Sequence, residues 1–147
     1  MKIDRLHTAI SELIHSDIAI RYNINNMPTI QHLDNMQKLI HYVLQPIRLH
    51  FDSPIDISGG YRSRLLWTKL RDLGLNPSPT SMHLDGKAAD FTVRGVNTKD
   101  VFNWIKNSGI EFDELIYEYS SDGAIWIHIA YNHGQNRNKV IDNYKAY

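Results

Sequence analysis

The chain has 147 residues, of which 42% are hydrophobic and 22% charged, and its formal net charge at pH 7 is +0. This length and composition predict one globular domain over residues 1–147 with one hydrophobic core. The balanced charge gives no bulk attraction to nucleic acid. The absence of cysteine excludes disulfides, thiolate metal sites and cysteine nucleophiles.

The start of the chain, Met1 to Leu6, lacks the basic-then-apolar run of a secretory signal. No apolar stretch is long enough to span a bilayer. We therefore expect a soluble monomer that has no signal peptide, does not insert into a membrane and stays in the cytoplasm until something else releases it.

Helical spacing dominates the first part of the chain. The stretch from Leu6 to about Ile20 is weakly helical, and its polarity predicts a surface position. After a break at Met27–Thr29, apolar residues recur at helical spacing from Leu33 to Leu44. Pro46 is expected to kink or end this helix, because proline has no backbone N–H to donate.

Strands and helices mix in the rest of the chain, which favours an α+β fold with helices packed on one small antiparallel sheet. The tail after His133 is polar and indicates no clear element. The predicted elements are a strand over Pro54–Ser58, a helix over Ser63–Leu73, a strand over Lys87–Val93, a helix from Asn97 or Thr98 to Asn107, and a hairpin of Phe112–Tyr119 and Ala124–Tyr131.

Three residues have the chemistry of a catalytic zinc site, which uses three protein ligands and leaves a fourth position open. His83 and Asp90 lie seven positions apart with a glycine between them, and Asp90 sits in an apolar strand where an unpaired carboxylate is costly. His128 interrupts a second apolar strand. Asp85 is a competing carboxylate, but its turn position predicts that it faces water. The spacing alone also allows a second interpretation, in which His83 and Asp90 hydrogen-bond each other and His128 is a satisfied core histidine.

A tight hairpin turn at Ser120–Gly123 would place Glu118 opposite Trp126. Glu118 would then be a diagonal neighbour of His128 on the same face of the sheet. A carboxylate beside a metal ion, and not bound to it, can act as a general base. A slip of one residue in the register would turn Glu118 away.

Three separated blocks carry a resemblance to a known family: Ser58–Ser63, Ser81–Asp90 and Trp126–His128. Together they resemble the M15 peptidases, particularly the D-Ala-D-Ala carboxypeptidase and phage endolysin branch. The stretches Ser11–Ser16 and Leu44–Arg48 are similar to the lead-in of one subgroup. The resemblance therefore covers the chain from about Ser11 to Tyr131.

This resemblance implies a fold shared with Hedgehog-type signalling domains and a zinc ion held by His83, Asp90 and His128. It implies a zinc metallopeptidase that cuts an amide bond in peptidoglycan stem peptides or cross-bridges, as a carboxypeptidase or an endopeptidase. Arg62 is implied to polarise the scissile carbonyl or to hold substrate, with a surface salt bridge as the alternative. Tyr61 and Ser81 are implied to bind substrate, although Ser81 could equally be a turn cap.

The sequence departs from the family pattern at several positions. Gly59–Gly60 has one glycine more than usual, and Trp67 stands near where many relatives carry asparagine. Many relatives carry an acid three residues before the last histidine, where this chain has Ile125. Glu118 is therefore the expected base and Asp122 a weaker substitute, while Glu114 is on the same face but expected to lie too far along the strand.

Two further interpretations stay open at this point. The missing acid at Ile125 allows a non-catalytic module that contains zinc and binds the cell wall or forms part of a phage particle. His133 could line the substrate pocket or lie on the plain surface.

Overall fold

The computed structural model describes residues 8–146, and Leu6, where the first predicted helix begins, lies outside them. The predicted α+β fold is confirmed, with helices packed on a single five-stranded sheet. The helices are α1 (Ile10–Ile14), α2 (Asp17–Arg21), α3 (Ile30–Leu39), a π-helical segment (Ile40–Leu44), α4 (Gln45–Phe51), α5 (Arg64–Asp72), a 3₁₀ turn (Met82–Asp85) and α6 (Thr98–Asn107). The strands are β1 (Ile55–Gly59), β2 (Ala88–Val93), β3 (Glu114–Tyr119), β4 (Ile125–Ala130) and β5 (Lys139–Lys145).

The sheet has the order β1-β2-β4-β3-β5. Its first four strands pair antiparallel, as predicted, whereas β5 pairs parallel with β3 at the edge. The polar tail thus forms a strand that its sequence did not indicate. Most β5 side chains are exposed, so the strand lacks the alternating apolar pattern by which strands are recognised.

One face of the sheet is covered by the core, and this fixes the direction of the polar side chains. Phe91, Ile127 and Ile129 are each 0% exposed and belong to the main hydrophobic cluster. Because side chains alternate along a strand, their neighbours Asp90 and His128 project from the opposite face. The apolar residues that flank the two polar ones therefore direct both of them to the same side.

The helical part of the chain differs from expectation in two places. Pro46 was expected to kink or end its helix, and the second of these is wrong, because the helical stretch continues to Phe51. A wider turn comes just before it, in which the Gln45 N–H bonds to the Ile40 carbonyl five residues back, and this relieves the crowding that proline causes. The surface position expected for the first stretch is wrong at Leu13, which is 0% exposed and part of the core.

Within residues 8–146, no helix is both long and apolar enough to cross a membrane.

Candidate metal centre

The three predicted ligands come from three different elements. His83 lies in the 3₁₀ turn, Asp90 on β2 and His128 on β4. Asp90 and His128 are directly opposite each other in the β2–β4 register, so their side chains emerge side by side from one face. The short turn before β2 adds His83 to this pair.

The ligand atoms converge on one oxygen of Asp90. Oδ1 lies 2.9 Å from His128 Nδ1 and 3.3 Å from His83 Nε2. All three potential ligand atoms lie within 4.8 Å of one another. Ligand atoms bound to one zinc ion are about 3–3.6 Å apart, since each bond is about 2.0–2.2 Å long, so the set is close to metal-binding spacing.

The second nitrogen of each imidazole also has a partner. His83 Nδ1 lies 2.8 Å from the carbonyl oxygen of Gly60, and His128 Nε2 lies 3.4 Å from Glu114 Oε1. A carbonyl oxygen can only accept, so His83 carries its proton on Nδ1 and presents the lone pair of Nε2 to Asp90. In that tautomer Nε2 and Asp90 Oδ1 are both acceptors, and either a metal ion or a proton between them would satisfy both.

Asp90 and the two histidines differ strongly in their tendency to ionise. Burial opposes the charge on Asp90, but His83 and His128 outweigh it and hold the pKa of Asp90 far below its usual value. Burial lowers the pKa of His83. Burial acts in the same direction on His128, but hydrogen bonds with Asp90 and Glu114 raise its pKa to about 10. Without metal, the centre therefore contains an ion pair between the protonated His128 ring and the Asp90 carboxylate.

The paired glycines before Arg62 allow the chain to pass close to this centre. A Cβ on Gly59 would lie 2.8 Å from Asp90 Oδ2, and a Cβ on Gly60 would lie 2.2 Å from the Leu13 carbonyl oxygen. Neither position has room for a side chain without movement. The extra glycine therefore brings the Gly60 carbonyl within reach of His83.

Glu118 lies where the hairpin register was expected to place it. It pairs with Trp126, which makes it a diagonal neighbour of His128. Burial, together with the negative charge of Asp90, raises the pKa of Glu118 to about 7, while the charge of His128 and a hydrogen bond with Trp126 lower it only in part. A carboxyl group with this pKa can both take up and release a proton near neutral pH.

Glu114 corrects one expectation, because it is not too far along the strand. It pairs with Ala130, so it is the other diagonal neighbour of His128 and contacts Nε2 of that ring. The hydrogen bond to His128 lowers the pKa of Glu114, and the charges of Lys139 and Arg137 act in the same direction. The pKa values of the two glutamates that flank His128 are therefore shifted in opposite directions, that of Glu114 down and that of Glu118 up.

Arg62 lies inside the centre and not on the surface. Its Nη2 is 3.7 Å from Asp90 Oδ2, its side chain is 19% exposed, and its backbone N–H donates to the His83 carbonyl. Ser81 caps the 3₁₀ turn, because its Oγ accepts the His83 N–H at 3.2 Å. Tyr61 is 5% exposed, its ring contacts that of His32, and it is one of the residues that line the cleft, so its expected role in binding substrate stays a prediction.

The weaker candidates lie elsewhere. Asp122 is exposed and bonded within its own turn to Ser120 and the Ala124 N–H. Asp85 is exposed, as expected. His133 stacks on Tyr42 and bonds to the hydroxyl of Tyr131 and does not line the cleft. Trp67 donates to the Ser78 carbonyl and so holds the loop before the 3₁₀ turn.

The centre opens into a cleft of about 860 Å³. Leu66 and Leu70 of α5 line it, as do Ile141 and Tyr144 of β5. Ile141 pairs with Ile116 and Tyr144 with Glu118, so β5 has one residue more than β3 over this stretch, and both side chains reach the cleft. The walls of the cleft therefore combine apolar side chains with the charged groups of the centre.

Sequence reasoning missed one group of this site and misjudged the position of another. The Gly60 carbonyl carries no side-chain signal, although the double glycine marks a close backbone approach. Glu114 did have a signal, since the register that places Glu118 diagonal to His128 places Glu114 diagonal to it on the other side.

The comparisons with known proteins agree with the geometry. The family model described as Peptidase M15 matches residues 7–130. No curated protein matches the chain in sequence.

Proposed function

Since the chain belongs to the peptidase M15 family, we propose that it hydrolyses an amide bond in peptidoglycan stem peptides or cross-bridges, with zinc bound by His83, Asp90 and His128. The observation that carries this proposal is the convergence of the three ligand atoms beside a half-buried glutamate in an open cleft. A bound zinc ion would lower the pKa of a coordinated water and polarise the scissile carbonyl.

Glu118 is the residue proposed to move the proton. It is a diagonal neighbour of His128 and lines the same cleft as the three ligands, so it is placed to accept a proton from the attacking water and return it to the leaving amine. It also stands in for the acid that many relatives carry at the position of Ile125. Asp122, held in its own turn, does not have this position.

Arg62 is proposed to stabilise the negative charge that develops on the carbonyl oxygen. A guanidinium is always charged, and Arg62 lies within 3.7 Å of a carboxylate oxygen of the metal centre. Ser81 lines the same cleft and keeps its hydroxyl proton free to donate to substrate, because its oxygen acts as the acceptor in the cap. The same proposal places the protein's action at the cell wall, reached on release from the cytoplasm or as part of a phage particle.

The test is a digestion of purified peptidoglycan followed by mass spectrometry of the released fragments. The zinc-loaded protein should release a peptide or a free amino acid, a chelator should stop the release, and added zinc should restore it. Glu118→Gln serves as the matched control that keeps the metal. If the zinc-loaded wild type releases nothing, the proposed hydrolysis is wrong, and the result favours the alternative interpretation of a zinc-containing binding module.

A further inference from the structure

We infer that Glu114 is a positioning residue that selects the metal-binding form of His128, an inference that rests on the metal centre of the proposed function. An imidazole can bind a metal through either nitrogen, and the hydrogen bond made by the other nitrogen decides which one is available. In this chain the two nitrogens of His128 face two different carboxylates. Nδ1 faces Asp90 at 2.9 Å, and Nε2 faces Glu114 at 3.4 Å.

The surroundings of Glu114 suit this role. Its side chain is 20% exposed, and its second oxygen, Oε2, lies 3.8 Å from Lys139 Nζ and 3.9 Å from Arg137 Nη2. The two cations are on one side of the carboxylate and the imidazole is on the other. They orient Glu114 so that Oε1 points at His128 Nε2.

Arg137 is itself held in place. Its guanidinium binds both oxygens of Asp113, with Nη2 2.8 Å from Oδ2, and Asp113 is 3% exposed. Arg137 and Lys139 both lie after residue 130, where the family match ends. The last part of this chain thus supplies the charges that fix Glu114.

The consequence concerns the proton on His128. Asp90 is itself a proposed metal ligand, so with metal bound Glu114 is the carboxylate that stays as an acceptor for the His128 ring. An acceptor at Nε2 favours the tautomer with its proton on that nitrogen and its lone pair on Nδ1, beside Asp90. His83 has the same arrangement with the Gly60 carbonyl as the acceptor. Both imidazoles would therefore enter the centre in a single tautomer.

The position also separates Glu114 from the proposed base. Glu114 is directed at the ring of His128 by two cations, whereas Glu118 lies at the other diagonal and contacts Trp126. Glu114 therefore acts through His128 and need not touch substrate. Glutamine, which keeps an acceptor oxygen, should replace it in this role, although glutamine could not replace a base.

The experiment compares the zinc affinity of four full-length proteins by competition with a chromogenic chelator. Glu114→Ala should weaken zinc binding by about 10–100-fold, whereas Glu114→Gln should stay within a few-fold of wild type. Glu111→Ala removes an exposed carboxylate of the same charge and should leave the affinity unchanged. Wild-type affinity in Glu114→Ala, or equal losses in the alanine and glutamine variants, would overturn the inference.

A second measurement covers the case in which Glu114→Ala does not fold. Nitrogen-15 NMR of the zinc-loaded wild type and of Glu114→Gln should show the His128 proton on Nε2, and a proton on Nδ1 would also overturn the inference. The digestion assay separates this inference from the proposed function. If zinc binding depends on Glu114 but the wild type releases no peptide, the inference stands and the proposed hydrolysis is wrong. If a Glu114→Ala protein has normal zinc affinity and still releases peptide, the proposed hydrolysis stands and the inference is wrong.

Discussion

Gly60→Ala should damage the fold and the metal centre together. The new Cβ would lie 2.2 Å from the Leu13 carbonyl oxygen and 2.8 Å from the Leu13 Cα and carbonyl carbon. All three are backbone atoms, so no side chain can rotate away, and α1 or the Gly60 segment must move by roughly 1 Å. Such overpacking costs about 1–3 kcal/mol, which in a chain of this size lowers Tm by about 2–4 °C for each kcal/mol.

The same movement displaces the Gly60 carbonyl, which lies 2.8 Å from His83 Nδ1. The loss of a partner that orients a metal ligand weakens metal binding by about 10–100-fold, so zinc affinity should fall together with Tm. Calorimetric unfolding of the metal-free protein and a chelator competition measure the two effects separately.

Gly74→Ala is the matched control for this substitution. Gly74 has φ +82°, and a Cβ added there would meet nothing within 4 Å, so alanine introduces only backbone strain of about 1–2 kcal/mol. This variant should lose stability and keep its zinc affinity. A Gly60→Ala protein with the Tm and the zinc affinity of wild type would refute the reasoning about the close approach to Leu13.

Three further predictions concern the metal, the base and pH. Zinc at about 1,000 times its Kd should raise the free energy of unfolding by about 4 kcal/mol, measured by thermal or urea unfolding. His83→Ala should abolish this gain, and an equal gain in wild type and variant would show that the metal binds elsewhere. Glu118→Gln should lower kcat by about 10²–10⁴-fold and keep zinc affinity, as shown by peptide hydrolysis and metal analysis, and an active variant would remove Glu118 as the base. In the metal-free protein, the pKa of Glu118 is raised from 4.5 to about 7, so its stabilising contribution is complete below about pH 4.5 and is lost as pH rises to 7. Urea unfolding should therefore show Glu118→Gln gaining stability relative to wild type over this range, and a constant difference would contradict the raised pKa.

The sequence was informative wherever a residue had to face a particular way. Asp90 and His128 each interrupt an apolar strand, so the burial of their neighbours fixes which face they occupy. The hairpin followed from the turn at Ser120–Gly123, and its register brought Glu118 next to His128 as expected. These predictions depend on local periodicity, which the sequence displays directly.

The sequence was less informative where tertiary contacts decide. The strand β5 is largely exposed, and its partner β3 lies well before it in the chain, so no local pattern marks it. The role of Gly60 depends on Leu13, a residue of a different helix. The distance of Glu114 from His128 was misjudged from its position along the strand. Antiparallel pairing gives His128 two diagonal neighbours on β3, and Glu114 is one of them.

Anomalous diffraction at the zinc edge, recorded from crystals of the zinc-loaded protein, tests the central claim most directly. We expect one peak, between His83 Nε2, Asp90 and His128 Nδ1, that disappears after soaking in a chelator. A peak at another place, or no peak at these three side chains in a protein that holds zinc, would contradict the metal centre on which the proposed hydrolysis depends.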